Sequence, residues 1–249
     1  MLHISEYFMV IILGLLVGSF TNTIIYRIPR NQSIILPNSF CPHCIKPIRF
    51  YDLIPIISYL NLQGKCRYCK KDISFRYFLV ETLMAGIFFA VFYIWGFTCQ
   101  TISGWLLSMV IVSAAFIDID WGIIPDKITY PAMLAGLVLS FFTVGFGTAL
   151  TGSAFFAGIL LLTAFISRGA MGGGDIKMAI VIGLFTGLKG AVIACLVAVI
   201  LGGLYGLRLI ILARAERKSA IKFGPFLALG AFIGYNFSTQ LSTIYFTFW

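Results

Sequence analysis

Acidic side chains are scarce in this sequence, and their placement points to its chemistry. Nine Asp and Glu occur in 249 residues, and four of them fall in two short runs beside apolar segments. One run is Ile117-Asp118-Ile119-Asp120-Trp121-Gly122-Ile123-Ile124-Pro125-Asp126, the other Met171-Gly172-Gly173-Gly174-Asp175-Ile176-Lys177. A carboxylate at membrane depth is costly, so a functional role is the default hypothesis for it. Two carboxylates sharing one proton can activate water against a peptide carbonyl, which is aspartic-protease chemistry. Asp118 and Asp175 are the candidates for that pair, and an ion or proton pathway is the competing use of the same residues. Asp120 stands about 200° around a helix from Asp118, so it is expected to face solvent or to support the site from behind. Asp175 also suits a helix N-cap, and Asp126 with Thr129 reads as the cap of the next helix. The glycine run Gly172, Gly173 and Gly174 allows backbone to approach an extended substrate strand. If Asp175 opens a helix and Asp118 closes one, the dipoles favour the anion at Asp175 and the neutral acid at Asp118, which would make Asp175 the base and Asp118 the acid.

The second constellation is Cys41-Pro-His-Cys44, then residues 45–65, then Cys66-Arg-Tyr-Cys69. Two C-x2-C knuckles at this separation suit a tetrahedral zinc thiolate site with Cys41, Cys44, Cys66 and Cys69 as ligands. A segment this short has too little core to fold alone, so the metal would supply folding energy. Disulfides compete with this reading and are disfavoured where thiols stay reduced, as on the cytoplasmic side. His43 is expected to be a bystander, and Lys65, Arg67, Lys70 and Lys71 would soften the cluster's negative charge. Cys99 and Cys195 read as small apolar fillers.

The elements that must carry these groups are membrane helices. The chain is 60% hydrophobic and 11% charged, against about 25% charged in a soluble domain. A bilayer crossing needs about 20 apolar residues, and eight spans can be drawn: about 5–26, 77–97, 101–117, 129–148, 152–166, 175–188, 190–212 and 224 to the C-terminus. The expected fold is an all-α polytopic membrane protein. It comprises a first transmembrane helix over 1–26, a polar cysteine insert over 27–76, and a seven-helix membrane core over 77–249. The first stretch is too long for a signal-peptide core, has no basic n-region or A-x-A site, and reads as a retained helix.

The net charge of +9 could suggest nucleic acid, but half of the 18 Lys and Arg lie between Arg27 and Arg76 and most others sit at helix ends. That is the placement of topology signals, and nucleic-acid binding is not expected. With the insert in the cytoplasm and both termini outside, every basic residue except Lys189 falls on the cytoplasmic side, Arg168, Arg208, Arg214, Arg217, Lys218 and Lys222 included; seven spans would break this parity. Gly14 with Gly18, Gly202 with Gly206, and Gly230 with Gly234 are spaced for close helix contacts.

The sequence resembles the prepilin peptidases, or type IV leader peptidases, a branch of the GxGD membrane aspartyl proteases. Gly172-Gly173-Gly174-Asp175 matches the G-x-G-D signature, with Lys177 in the usual following place. Asp118, Asp120, Pro125, Asp126 and Thr129 match a D-x-D…PD-x-x-T segment. The Gly14 to Pro29 run, GLLVGSFTNTIIYRIP, looks like the G-S-F-x-N…R-x-P opening, although Thr21 stands where the family often has leucine. The paired C-x2-C knuckles and the Phe223-Gly224-Pro225-Phe226-Leu227-Ala228 run match as well, so the likeness covers essentially the whole chain.

The resemblance implies removal of the basic leader from type IV prepilins or pseudopilins at the cytoplasmic face of the bacterial inner membrane, with Asp118 and Asp175 catalytic. Asp120, Asp126, Gly172, Gly174 and Lys177 are then expected to support the pair or bind substrate, Asp120 or Asp126 drawing the basic leader. It also implies N-methylation of the new terminus from S-adenosylmethionine, linked to the cysteine insert, although no Rossmann-type glycine fingerprint marks a site for that cofactor. The prepilin's apolar helix and membrane lipid are the expected partners. A preflagellin or signal-peptide peptidase is the alternative protease, and the cysteine insert and GSF…N opening argue against it. A transporter using the two aspartates for ions is the alternative outside proteolysis, but it leaves the insert unaccounted for and would normally show an internal repeat.

Overall fold

The computed structural model describes residues 4–166, 171–212 and 222–247. The basic residues Arg168, Arg214, Arg217 and Lys218 of the charge argument lie outside them. Among the described residues the fold is all-helical, with two isolated β-bridges and no strand. The elements are α1 (Ile4–Arg27), a 3-10 turn (Phe50–Leu53), α2 (Ile57–Asn61), α3 (Arg76–Trp95), α4 (Cys99–Trp121), α5 (Asp126–Ser140), α6 (Phe146–Ile166), α7 (Gly173–Ile211) and α8 (Gly224–Thr247). Five of them, α1, α3, α4, α6 and α7, are long and apolar enough to cross a membrane.

The chain forms two compact units, Met1–Gly96 and Phe97–Trp249. In the first, α1 lies along α3 with backbones nearly touching. A Cβ on Gly14 would stand 2.7 Å from the Cα of Ala85, and one on Gly18 would stand 2.7 Å from the Cα of Glu81. Buried Asn22 fixes the register by donating from Nδ2 to the carbonyl of Tyr77 at 3.0 Å. Arg27 closes α1, and its buried guanidinium donates to the carbonyls of Ser33 and Pro37 at 2.9 and 2.7 Å. A cation is thus spent on turning the chain from helix into insert, with carbonyls replacing its water.

In the second unit α7 packs against α6, α8 and α5, and α4 packs against α8. Small residues again set the approach. A Cβ on Gly230 or Gly234 would collide with the carbonyls of Ala194 and Gly190 on α7, and one on Gly202 would meet the Phe223 ring at 2.7 Å. Gly187, at φ 65° and ψ −176°, breaks α7. Its two halves correspond to the sixth and seventh spans read from the sequence.

Two boundaries differ from that reading. The fourth span does not continue to Thr148: α5 stops at Ser140 after 15 residues. Ser140 Oγ bonds back to the Leu137 carbonyl at 2.7 Å, and Gly145 (φ 87°) sends its N–H to the Ser140 carbonyl at 2.8 Å, so α6 begins at Phe146. Apolar residues run through this turn, which hides it from a hydropathy window. α4 continues to Trp121, one turn beyond the expected end, and stops where Gly122 (φ 67°) returns its N–H to the Asp118 carbonyl at 2.8 Å.

Candidate active site and cysteine cluster

Asp118 lies in the last turn of α4, and its side chain is buried at 6% exposure. Asp120, two residues on, is exposed, as its angular offset requires. The Asp118 carboxylate is held by a distant element: Oδ2 accepts the N–H of Gly224, the first residue of α8, at 2.8 Å. Gly224 has no room for a side chain, because a Cβ there would lie 2.8 Å from both Cβ and Oδ2 of Asp118. Lys222 reinforces the junction by donating from Nζ to the Ile119 carbonyl.

Asp175 sits in the first turn of α7, half-buried, and lies within electrostatic reach of Asp118. Its N–H bonds to the Gly172 carbonyl at 3.1 Å. A Cβ on Gly172 would come within 3.3 Å of its Oδ2. A Cβ on Gly174 would lie 2.9 Å from the Cβ of Ile124, so this glycine lets α7 start against the α4–α5 connection. Asp118 and Asp175 thus stand at the ends of α4 and α7 within electrostatic reach of one another, and α8 meets Asp118 through Gly224.

This arrangement changes the dipole argument. Asp175 is at a helix N-terminus as anticipated, but the Asp118 carboxylate also meets one, that of α8, through Gly224. Both sites favour an anion on that ground, and the helix ends do not assign acid and base.

Asp126 is not an N-cap. That position is Pro125, with no side-chain cap bond, and Asp126 is already in the first turn of α5. Its Oδ1 instead receives Lys177 Nζ at 2.6 Å, and the ammonium lies 5.1 Å from the Tyr130 ring centroid. Buried Thr129 has no hydrogen-bond partner for its hydroxyl.

The four cysteines of the insert form a second centre. One sulfur from each lies within 4.8 Å of the others, and Cys41 and Cys69 are 3.8 Å apart. Tetrahedral zinc with bonds of about 2.3 Å requires sulfurs about 3.8 Å apart, so the cluster fits such an ion. The two knuckles repeat one geometry. Ile45 and Lys70, each following the second cysteine, have φ near 59° and 58° and donate to the carbonyls of Cys41 and Cys66 at 2.8 and 3.0 Å. Bridges Phe40–Pro47 and Lys65–Asp72 close both loops. N–H groups of Cys69 and Tyr68 aimed at Cys66 bring its thiol down to about 6, whereas burial pushes that of Cys41 up to about 11. Arg67, inside the second knuckle, forks onto Asp52 at 2.6 and 2.7 Å and holds that carboxyl below its usual range. Its first effect is thus to anchor the 3-10 turn. His43 is exposed, and Cys195 is buried.

Sequence reasoning alone passes over Gly224 and Glu81. Gly224 is noticed only as part of a matching run, since its partner is 106 residues away. Glu81 lies within the second apolar span, and the rule that singles out Asp118 applies equally to it.

Comparison with known proteins agrees with these features. Residues 12–95 match the family model for the bacterial peptidase A24 N-terminal domain, and residues 105–207 that for the type IV leader peptidase family. Proteins named prepilin leader peptidase/N-methyltransferase are similar along nearly the whole length. The one from Pseudomonas aeruginosa is 31% identical over 268 residues, covering 96% of this chain and 92% of the relative. The one from Bacillus subtilis is 32% identical over 237 residues, covering 94% and 95%. That from Myxococcus xanthus is 37% identical over 213 residues, covering 77% and 63%. No solved structure matches. With both halves matched in order and the acidic and cysteine centres in place, this chain belongs to the type IV leader peptidase family.

Proposed function

We propose that the protein is a membrane aspartyl endopeptidase that removes the leader from type IV prepilins or pseudopilins and methylates the new N-terminus. The observation that carries the reading is the placement of Asp118 and Asp175 at the ends of α4 and α7 within electrostatic reach of one another, with Asp118 held by Gly224. One shared proton is the expected state of such a pair, since two adjacent carboxylates resist ionising together. One carboxylate takes a proton from water as its oxygen attacks the scissile carbonyl. The other protonates the carbonyl oxygen, and the carbon–nitrogen bond then breaks as the amine regains a proton. With Oδ2 of Asp118 held by Gly224, Asp118 enters the reaction through Oδ1, whichever of the two roles it takes. Asp120, exposed one face away, is placed to attract the basic leader, and the Asp126–Lys177 pair ties the first turn of α5 to that of α7, which carries Asp175.

The cysteine cluster, within 27–76, holds structural zinc, and the methyl donor is S-adenosylmethionine, which supplies an electrophilic methyl group. The protein sits in the bacterial cytoplasmic membrane with the insert inside and both termini outside; the spacing of basic residues supports this orientation.

Co-expression with a prepilin tests the reading, with the product's N-terminus read by mass. Wild type is expected to cut after the leader and add one methyl, while Asp118→Asn and Asp175→Asn are inserted but inert. Normal cutting by either variant would remove the pair from catalysis.

A further inference from the structure

The cysteine insert is strongly basic except in one stretch. From Arg27 to Arg76 there are nine Lys and Arg against two Asp, yet the ten residues from Leu53 to Leu62, LIPIISYLNL, carry no charge. An apolar stretch this short cannot cross a bilayer, which takes about 20 residues, and is either buried in protein or interfacial. It is not buried. Ile57 and Leu60, one turn apart on α2, are 56% and 61% exposed, and Leu53 and Ile54 are exposed as well.

This stretch runs beside a helix that is long and apolar enough to cross the membrane. Ile56, the N-cap of α2, donates its N–H to Oε2 of Glu81 on α3 at 2.8 Å, and Ser19 on α1 bonds to the same carboxylate. Glu81 is five residues past Arg76, which opens α3, and so lies about 7 Å down the helix axis. The Tyr59 ring packs on those of Phe75 and Phe78, with centroids 6.5 and 5.6 Å away. A strained turn sets this course. Ile56 has φ 62° and ψ −54°, and Ile57 donates to the Pro55 carbonyl at 2.6 Å, a γ-turn of the rare positive-φ hand. A β-branched residue is an outlier there and persists only where its surroundings impose it. Buried Glu81 supplies that constraint.

The exposed face of α2 continues that of α3. Phe75, Leu79 and Leu83 recur every four residues and are all exposed, the stripe that a membrane helix turns to lipid. Phe75 joins this stripe to Tyr59 and hence to α2. Interfacial helices sink their apolar face about 5–10 Å into the boundary between headgroups and acyl chains, with basic residues drawn to anionic lipid. The depth of Glu81 falls in that range. Exposed Arg49 and Lys65 flank the stretch, and Asp52, the acid at its edge, is paired with Arg67 at 2.6 Å.

We propose that residues 53–62 are a membrane-surface anchor, lying in the headgroup–acyl boundary of the bilayer that α1 and α3 cross, with Ile57 and Leu60 among the lipid chains. Glu81 and Ile56 fix its depth. The second cysteine knuckle, which begins at Cys66, is thereby held close to the membrane surface.

Photolabelling of the full chain in phosphatidylglycerol vesicles tests this, with a phospholipid carrying a diazirine on its acyl chain close to the headgroup. Light converts the diazirine to a carbene, which inserts into bonds within reach, and tryptic peptides then report the adducts by mass. Peptide 50–65 is expected to carry lipid at Ile57 and Leu60, as the α3 stripe does at Leu79 and Leu83. In an Ile57→Asp, Leu60→Asp double variant, adducts on 50–65 should fall severalfold while those on α3 remain. If that variant loses its α3 adducts too, Leu60→Asn alone makes the comparison. A wild-type 50–65 without adducts beside a labelled α3, the pattern left by a second copy covering this face, overturns the anchor. Adducts on 50–65 that persist unchanged in the variants overturn the roles of Ile57 and Leu60. The readout needs neither leader cleavage nor methylation.

Discussion

The position of one carboxylate depends on a glycine on another helix. Asp118 keeps its orientation because Gly224 presents an N–H at 2.8 Å and no side chain. Gly224→Ala would place a methyl 2.8 Å from both Cβ and Oδ2 of Asp118, closer than contact allows, so the carboxylate must move, and a displacement near 1 Å at a catalytic group costs about 10²-fold. Leader cleavage should therefore fall about 100-fold while the variant still inserts, measured as initial rates on a synthetic prepilin. The Asp126–Lys177 pair is half exposed and acts as one unit. Asp126→Asn, Lys177→Met and the double variant should cost similar amounts of activity, since removing either partner already removes the interaction. Additive losses in that double-mutant cycle would show that the two residues act separately.

At the scale of helices, backbone contact replaces the interdigitation of large side chains. With lipid on the other side, helices gain little from hiding apolar surface and associate by close packing. Gly14 and Gly18 let α1 reach α3, and Gly230 and Gly234 let α8 reach α7. Gly14→Leu and Gly230→Leu are expected to destabilise by about 1–3 kcal/mol each, as overpacking does. Thermal unfolding in detergent should show a lower midpoint for both, and Gly86→Leu, where a Cβ would meet nothing within 4 Å, is the control. The break at Gly187 gives α7 a half that carries Asp175 and a half that packs on α8, so one continuous stretch of chain carries one aspartate and supports the helix that holds the other.

At the scale of the whole molecule, orientation decides what each centre meets. Exposed Cys99 opens α4, at the end away from Asp118. In the proposed orientation it faces outward while the cysteine insert faces the cytoplasm. A membrane-impermeant maleimide applied to intact protoplasts should label Cys99 and spare Cys41, Cys44, Cys66 and Cys69, with labelling of a Cys99→Ser variant reduced to background. The reverse pattern would invert the topology. Elemental analysis of the same protein should find about one zinc per chain, because four thiolates complete its shell, and none in Cys66→Ser.

What the residues alone determined are properties that need no partner at a distance. Apolar runs of helical length, the cost of a charge among them, the grip of two C-x2-C knuckles on one ion and the order of the family motifs can all be read locally. They suffice for an all-helical membrane protein with an aspartate pair and a four-sulfur cluster. Only the tertiary structure decided which helix ends meet. Asp118 pairs with Gly224 across 106 residues and Asp126 with Lys177 across 51, and local signals instead suggest a helix cap at Asp126 and unlike dipoles at the two aspartates. The same holds for Glu81 and Ile56. A buried acid and a strained turn acquire a shared purpose only when α1 and α3 close upon the insert, because electrostatic and hydrogen-bond partners are set by proximity in space, which sequence separation does not measure.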